Sequence, residues 1–206
     1  MSGRLITLEG GEGAGKTTQA VFVRDWLQQR GRAVVQTREP GGSPLAEAIR
    51  NVVLDDWAEG VNTQTETLLM FAARAAHLHS LILPALQNDQ DVVCDRFVDA
   101  SWAYQGAGRG VDPQTLSALE GFVLKGLQPH LTLLLDLPPD VALERVAARH
   151  GNNRFEREHV SFVENVRAAY LNRARQSPDR FAVIDASVGV EPVRQAIAAR
   201  DSGRRL

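Results

Sequence analysis

Eight consecutive residues, Gly10-Gly11-Glu12-Gly13-Ala14-Gly15-Lys16-Thr17, have the spacing of a phosphate-binding loop, in which four residues separate a glycine from a Gly-Lys-Thr triplet. Glycines let successive backbone N–H groups curl around phosphate oxygens, and lysine adds a positive charge for the β and γ phosphates. The threonine hydroxyl can hold Mg²⁺ at the start of a helix. The run therefore predicts a site for a nucleoside triphosphate. The predicted contacts are Gly10, Gly11, Glu12, Gly13, Ala14, Gly15, Lys16, Thr17 and Thr18.

The composition bounds the classes of protein to which the chain can belong. With 206 residues, 44% of them hydrophobic, it is expected to form a single domain over residues 1–206. A formal net charge of −2 gives no basic surface for a nucleic acid polymer, so a nucleotide is the better ligand. Cys94 is the only cysteine, which excludes an intrachain disulfide. No membrane span or signal peptide is recognised, and a cytoplasmic protein is expected.

Apolar segments alternate with segments of helical periodicity. Strands are predicted at residues 5–8, 33–37, 91–94, 131–135 and 181–184. Helices are predicted at residues 17–30, 65–86, 113–127, 139–150 and 160–176. This alternation predicts an α/β fold, a parallel sheet with helices on both faces. The break at residues 150–153, flanked by arginines, suggests a mobile lid near residues 148–158, although a solvated turn has the same pattern.

Residues that directly follow the strands deserve attention because ligands of open parallel sheets bind at the carboxyl ends of the strands. Asp95 and Arg96 follow the third strand, and they could hold Mg²⁺ and a phosphate respectively, or form a structural ion pair. Arg38 and Glu39 follow the second strand and open a Pro-Gly-Gly turn.

Two further groups of side chains could recognise a base. Phe71 and Arg74 lie three residues apart on one predicted helix and therefore face the same side. Taken alone, Phe71 lies in an apolar run that is more typical of a core position. Ser101, Tyr104 and Gln105 form a second polar group at helical spacing. His77 and His79 are two residues apart and face different sides of their helix, which disfavours a metal site.

The chain resembles the thymidylate kinase family of the bacterial type along nearly its whole length. The resemblance is carried by the phosphate loop together with five further motifs in the same order: Thr37-Arg38-Glu39-Pro40-Gly41-Gly42, Leu69-Met70-Phe71-Ala72-Ala73-Arg74, Asp95-Arg96-Phe97, Ala103-Tyr104-Gln105-Gly106 and Asp136-Leu137-Pro138. It implies a P-loop kinase fold with a five-stranded parallel sheet. It also implies phosphoryl transfer from ATP to dTMP with Mg²⁺, and a homodimer.

The resemblance also implies roles for individual residues. Phe71 would lie under the thymine ring, Arg74 on a base oxygen and Ser101 near the base edge. Tyr104 would crowd the 2′ position of the sugar, and Glu12 would lie near its 3′-hydroxyl. The implied acceptor site is completed by Arg38, Glu39, Arg96 and Gln105, and the implied metal ligands are Thr17 and Asp95.

Phosphoryl transfer requires cations more than covalent chemistry. Lys16 and Arg96 are the expected catalytic residues for donor and acceptor, and the loop interior contains no arginine. A further cation is expected from the lid, at Arg149 or Arg154.

Three alternatives are weighed against this prediction. Another nucleoside monophosphate or nucleoside kinase would differ only in its base pocket. A GTP-dependent switch would need an N/T-K-x-D sequence, and with only Lys16 and Lys125 in the chain none exists. A non-catalytic scaffold is disfavoured by the intact Lys16, Thr17 and Arg96.

Overall fold

A five-stranded parallel sheet forms the centre of the protein, with strand order β2-β3-β1-β4-β5. The computed structural model describes residues 3–148, 155 and 158–200. The strands are β1 (Leu5–Glu9), β2 (Val34–Arg38), β3 (Asp91–Asp95), β4 (Leu131–Asp136) and β5 (Phe181–Asp185). All five predicted strands and the parallel sheet are confirmed.

Nine α-helices and two π-helical segments connect or flank the strands within the described residues. The α-helices are α1 (Lys16–Gln28), α2 (Pro44–Leu54), α3 (Thr63–His77), α4 (Leu83–Gln87), α5 (Val98–Ser101), α6 (Pro113–Leu124), α7 (Pro139–Ala147), α8 (Val160–Gln176) and α9 (Val190–Ala198). The π segments are Leu78–Ile82, between α3 and α4, and Trp102–Gly108, after α5. The sequence analysis did not predict α2, α5 or α9.

Both faces of the sheet are covered, as its apolar strands predict. On one face Ile6, Leu8 and Val93 belong to a core cluster that includes residues of α1 and α9. On the other face Leu5, Val92 and Cys94 pack with residues of α3 and α6. Alternate residues of each strand thus enter different clusters, which fixes the register of the strands relative to the helices.

Each strand extends one residue beyond the predicted apolar segment, and that residue is charged: Glu9, Arg38, Asp95, Asp136 and Asp185. Parallel pairing sets β1 beside β3, with Leu8 opposite Asp95, and β2 beside β3, with Arg38 opposite Asp95. The carboxyl edge of the sheet is therefore lined with polar side chains.

One continuous helical run, Thr63–Gln87, is long and apolar enough to cross a membrane by length and composition alone. Its inward face carries Glu66 and Arg74, which are buried and engaged in ion pairs inside the fold. A core helix passes the same length and composition test, so the run is weak evidence for a membrane span.

Candidate active site

A cavity of about 710 Å³ opens at the carboxyl edge of the sheet. At one end it is lined by the phosphate loop and the start of α1. Its other walls come from the turn after β2, from α2 and α3, and from the π segment after α5. Residues of the phosphate loop and of the motifs at 37–42, 69–74, 95–97 and 103–106 thus meet at one site.

The phosphate loop has the backbone geometry that its glycines predict. Gly15 adopts a left-handed conformation with φ of 83° immediately before α1. A Cβ at Gly10 would lie 2.4 Å from the Leu135 carbonyl oxygen, so only glycine fits there. Lys16 Nζ donates a 2.8 Å hydrogen bond to the Gly11 carbonyl, which folds the side chain over the loop. Burial, together with the nearby Arg96 charge, lowers the pKa of Lys16 to about 8.

Thr17 and Asp95, the two predicted metal ligands, are in contact. The Thr17 hydroxyl donates a 2.8 Å hydrogen bond to Asp95 Oδ2, and both residues line the cavity. Hydroxyl and carboxylate oxygens are ligands that Mg²⁺ accepts. Within the described part of the chain, no cluster of three or more His, Cys, Asp or Glu side chains could hold a metal by itself. A cation between Thr17 and Asp95 would therefore depend on phosphate oxygens and water for its other ligands.

Arg96 is held against the phosphate loop in a strained backbone conformation, with φ of 70°. Its Nη1 donates to the Gly10 carbonyl at 2.9 Å, and its Nη2 donates to Glu12 Oε1 at 2.5 Å and to the Tyr104 hydroxyl at 2.9 Å. The alternative of a structural ion pair between Asp95 and Arg96 does not apply, because the partner of Arg96 is Glu12. The guanidinium is thus fixed beside the loop.

A buried acid and a tyrosine support Arg96 from behind, and the sequence analysis missed both. Glu9 is fully buried and accepts hydrogen bonds from the Phe97 N–H at 2.7 Å and from the Tyr170 hydroxyl at 2.8 Å. Burial, reinforced by the nearby Asp99 charge, raises the pKa of Glu9 to about 8. The Tyr170 hydroxyl also accepts a hydrogen bond from Arg96 at 3.3 Å. The charged end of β1 was the available sequence signal for Glu9.

The residues after β2 have different environments. Arg38 is exposed and pairs with Glu47 at 3.1 Å on the cavity wall. Glu39 is buried, and its Oε2 accepts a 2.7 Å hydrogen bond from Arg74 Nε. Arg50, which the sequence analysis did not identify, also lines the cavity and donates to the Pro40 carbonyl at 2.7 Å. Two arginines and two acids, Arg38, Arg50, Glu39 and Glu47, thus form this side of the cavity.

Arg74 and Ser101 lie together behind the cavity wall. Arg74 is 1% exposed, and besides Glu39 it donates to Ser101 Oγ at 3.0 Å and to the Phe97 carbonyl at 3.1 Å. Ser101 is fully buried, so it orients the guanidinium rather than lining the cavity. The predicted position of Ser101 at a base edge is therefore corrected to one behind Arg74.

Phe71 is not part of the cavity wall. Its side chain is 2% exposed and belongs to the core cluster on one face of the sheet, with the Arg74 guanidinium 5.0 Å from the ring centroid. The preceding residue, Met70, lines the cavity instead. Met70 and Arg74 are four residues apart and share a helix face, so the side chain that reaches the cavity from this part of α3 is a thioether and not the predicted aromatic ring.

Tyr104 and Gln105 both line the cavity. The Tyr104 hydroxyl lies 3.1 Å from Glu12 Oε1, and burial raises the pKa of Tyr104 well above its usual range. Gln105 donates from Nε2 to Glu66 Oε1 at 2.8 Å. Its Oε1 is buried and has no hydrogen-bond partner among the described residues. The Gln105 amide is therefore held in place inside the fold, with one acceptor unused among the described residues.

The predicted lid arginines, Arg149 and Arg154, lie outside the described residues. Nearby, Phe155 packs edge-on against Tyr104 with ring centroids 6.0 Å apart, and Glu158 pairs with Arg109 at 2.5 Å. Phe155 also lines the cavity.

Comparison with known proteins agrees with this geometry. Residues 8–197 match the sequence model of the thymidylate kinase family. The chain is 56% identical over 199 residues to a thymidylate kinase of Chromohalobacter salexigens, covering 96% of this chain and 94% of that protein. It is 50% identical over 199 residues to a thymidylate kinase of Pseudomonas putida, covering 97% and 95% of the two chains.

A solved structure supports the same assignment. The crystal structure of thymidylate kinase from Ehrlichia chaffeensis superposes with a TM-score of 0.79 at 29% sequence identity, covering 96% of this chain and 98% of that one. The predicted P-loop kinase fold is confirmed by this match. The motifs, the cavity that joins them and these relatives together show that the chain belongs to the thymidylate kinase family.

Proposed function

We propose that this protein transfers the γ-phosphoryl group of ATP to dTMP, giving dTDP and ADP for DNA-precursor synthesis. The observation that carries the proposal is the single cavity that joins the phosphate loop to Met70, Tyr104 and Gln105. In this proposal the triphosphate lies at the end lined by the phosphate loop, and the nucleoside monophosphate lies at the end lined by Met70 and Gln105. The rival activity, phosphorylation of another nucleoside monophosphate or a nucleoside, is not favoured by the relatives.

The base end of the cavity suits thymine. Met70 offers an apolar surface for the ring, and the unpartnered Gln105 Oε1 offers an acceptor for the N–H at the ring edge. Arg74 has a second N–H on each terminal nitrogen, in a guanidinium that Glu39 and Ser101 hold in place. The resemblance implies that Arg74 contacts a base oxygen, and we propose that contact here, made by a guanidinium that lies behind the residues lining the cavity.

The sugar and the acceptor phosphate belong between the base end and the loop. Tyr104, buried against Phe162 and Phe155, limits the space near the sugar, and its contact with Glu12 places that carboxylate for a sugar hydroxyl. Arg96, Arg38 and Arg50 surround the phosphate position. Arg96 shares its Nη2 with Glu12, so an arriving phosphate competes with that carboxylate for the guanidinium.

The end of the cavity that is lined by the phosphate loop would neutralise the negative charge of the ATP phosphates. Backbone N–H groups of the loop and Lys16 bind the phosphates of ATP. Mg²⁺ would be held by Thr17 and Asp95, and when bound it neutralises charge on the phosphate oxygens. No general base is required, because the attacking phosphate oxygen is already anionic. We also propose that Arg149 and Arg154, which lie outside the described residues, belong to a lid over this site in a single domain of residues 1–206.

A homodimer is part of the proposal, and the exposed apolar faces of α3 and α6 are its interface. Leu68 on α3 is 59% exposed and Phe122 on α6 is 79% exposed, and these two helices pack side by side. The small residues Ala72, Ala75 and Ala118 lie exposed on the same helices. Exposed apolar residues on two packed helices are typical of a protein–protein interface. Phe122→Glu is expected to give monomers in sedimentation velocity, and an unchanged dimer would show that the interface lies elsewhere.

We also propose that the protein is located in the cytoplasm.

A coupled assay of ADP release tests the function directly. ATP is held constant while dTMP, dUMP, UMP, CMP, AMP, GMP and thymidine are offered separately as acceptors. The expected result is the highest kcat/KM for dTMP. A higher value for UMP, CMP or thymidine would replace the proposal with the rival kinase, and ATP hydrolysis without acceptor dependence would refute both.

A further inference from the structure

His77 lies at the end of α3, fully buried, with both ring nitrogens in contact with polar groups. Nδ1 is 3.1 Å from Glu39 Oε1, and Nε2 is 2.7 Å from Thr37 Oγ1. A carboxylate oxygen only accepts, so Nδ1–H is the donor to Glu39. In the neutral ring, Nε2 then accepts from the Thr37 hydroxyl. The ring therefore joins the last turn of α3 to β2 and to the residue that follows it.

Glu39 is the shared partner of His77 and Arg74. Its Oε1 faces His77, and its Oε2 accepts a 2.7 Å hydrogen bond from Arg74 Nε. Both side chains around it are almost completely buried, so water cannot replace a lost partner. Removing the His77 donor would leave Oε1 unsatisfied and free the carboxylate to rotate away from Arg74.

The turn after β2 is packed directly against the same ring. A Cβ at Gly42 would lie 2.3 Å from His77 Nε2 and 2.3 Å from Thr37 Oγ1. The Gly42 N–H donates to Glu47 Oε1 at 2.9 Å, and Glu47 in turn pairs with Arg38. His77 thus lies between the turn that carries Arg38 and the arginine assigned to the base.

We propose that His77 is a positioning residue for the acceptor nucleotide, which fixes Glu39 and, through it, the guanidinium of Arg74. The inference rests on the proposed function, because Arg74 matters here as the group that reads the base. His77 touches neither nucleotide, so its effect is confined to the binding of dTMP and does not extend to ATP.

Two amide substitutions separate the two nitrogens of the ring. In His77→Asn the amide N–H lies near the position of Nδ1 and keeps the donor to Glu39. In His77→Gln the amide reaches the position of Nε2, keeps the contact with Thr37 and loses the one with Glu39. His77→Met has a similar volume and no donor, and it serves where His77→Gln lowers the melting temperature below the assay temperature. His79→Gln, two residues along and exposed, is the matched control.

Steady-state kinetics with each substrate varied in turn give the decisive readout. His77→Gln is expected to raise the KM for dTMP by on the order of 10-fold or more, with the KM for ATP within about twofold of the parent. His77→Asn is expected to stay within about threefold for both substrates. Equal behaviour of the Asn and Gln variants, or an equal rise in both KM values, would overturn the inference.

A double-mutant cycle shows whether His77 acts through Glu39. Glu39→Gln alone is expected to raise the KM for dTMP, and adding His77→Gln is expected to raise it little further. Fully additive effects would contradict the inference.

The parent enzyme in the same assay distinguishes failure of the inference from failure of the proposed function. If the parent shows no dTMP-dependent ADP release, the proposed function fails. With normal parental activity and an unchanged KM in His77→Gln, only the inference fails.

Discussion

The Thr17 hydroxyl donates a 2.8 Å hydrogen bond to Asp95 Oδ2, although 78 residues separate the two in sequence. Parallel pairing of β1 with β3, with Leu8 opposite Asp95, brings them together at the same edge of the sheet. One oxygen comes from the first turn of α1 and the other from the end of a strand. The pair lies beside the loop lysine, where a cation and the phosphates of ATP are proposed to bind.

Replacement of Lys16 by alanine is expected to remove catalysis and leave the fold intact. Among the described residues, the Nζ group bonds only to the Gly11 carbonyl, and phosphate charge is its proposed target. We expect kcat to fall by on the order of 100-fold or more. Circular dichroism and the melting temperature are the controls for folding, and equal turnover of mutant and parent would remove the phosphate-loop assignment.

The buried environment of Lys16 also predicts a pH dependence of ATP binding. Its pKa is lowered to about 8, chiefly by burial, and the charged form is the one that attracts phosphate. As pH rises through about 8 the free enzyme loses that charge, so kcat/KM for ATP is expected to fall on the alkaline side. A flat profile between pH 7 and 9.5 would contradict this assignment of the charge.

Met70 and Phe71 are adjacent, and the structure assigns them different roles. Met70→Ala is expected to raise the KM for dTMP with a small loss of stability, because the side chain lines the cavity. Phe71→Ala is expected to lower the free energy of unfolding by about 3–5 kcal/mol, because the ring is in the core. Urea denaturation and dTMP kinetics of both variants measure the two effects. An increase in KM for Phe71→Ala alone would restore the original prediction for the aromatic ring.

Substitution of Tyr104 separates the bulk of the side chain from its hydroxyl. Tyr104→Phe loses the contacts with Glu12 and Arg96, so we expect lower kcat/KM for dUMP and UMP alike. The ratio between these two acceptors, which differ only in the 2′-hydroxyl, is expected to change little. Tyr104→Ala is expected to reduce that ratio, because the ring excludes the ribose. Full discrimination in the alanine variant would show that another residue reads the sugar.

The raised pKa of Glu9 predicts that the free energy of unfolding falls as pH rises. Its pKa is raised from 4.5 to about 8, so between these values the folded state binds more protons at Glu9 than the unfolded chain does. The contribution to the free energy of unfolding is fully present below about pH 4.5 and is lost as pH rises through about 8. We expect the loss to be on the order of a few kcal/mol. Urea unfolding of Glu9→Gln at pH 5, 6.5 and 8.5 is expected to show a flatter profile, and parallel profiles would contradict the prediction.

The lid arginines stay a prediction from the sequence. If Arg149 or Arg154 neutralises charge that develops during transfer, its replacement by alanine is expected to lower kcat by on the order of 100-fold, with dTMP binding nearly normal. Arg157 is the matched control and is expected to matter less. Near-normal kcat in both single variants would move the extra cation to Arg38, Arg96 or the partner subunit.

The sequence by itself determined the parts of the protein that depend on local chemistry. The phosphate loop needs glycines at fixed intervals before a lysine and a threonine, and these needs are met within eight residues. The buried strands are continuous apolar runs, so each could be located without knowledge of its neighbours. The carboxyl-edge rule then predicted that Asp95 and Arg96 would lie at the site.

Only the tertiary structure decided which of several suitable side chains reach the cavity. Met70 and Phe71 are both apolar and differ by about 100° around the axis of α3, so the packing of that helix against the sheet selects Met70. The contacts of Arg96 with Glu12, and of Glu9 with Tyr170, join segments far apart in the chain. No local pattern encodes such pairs, because they depend on the order of the strands and on the helices packed across them.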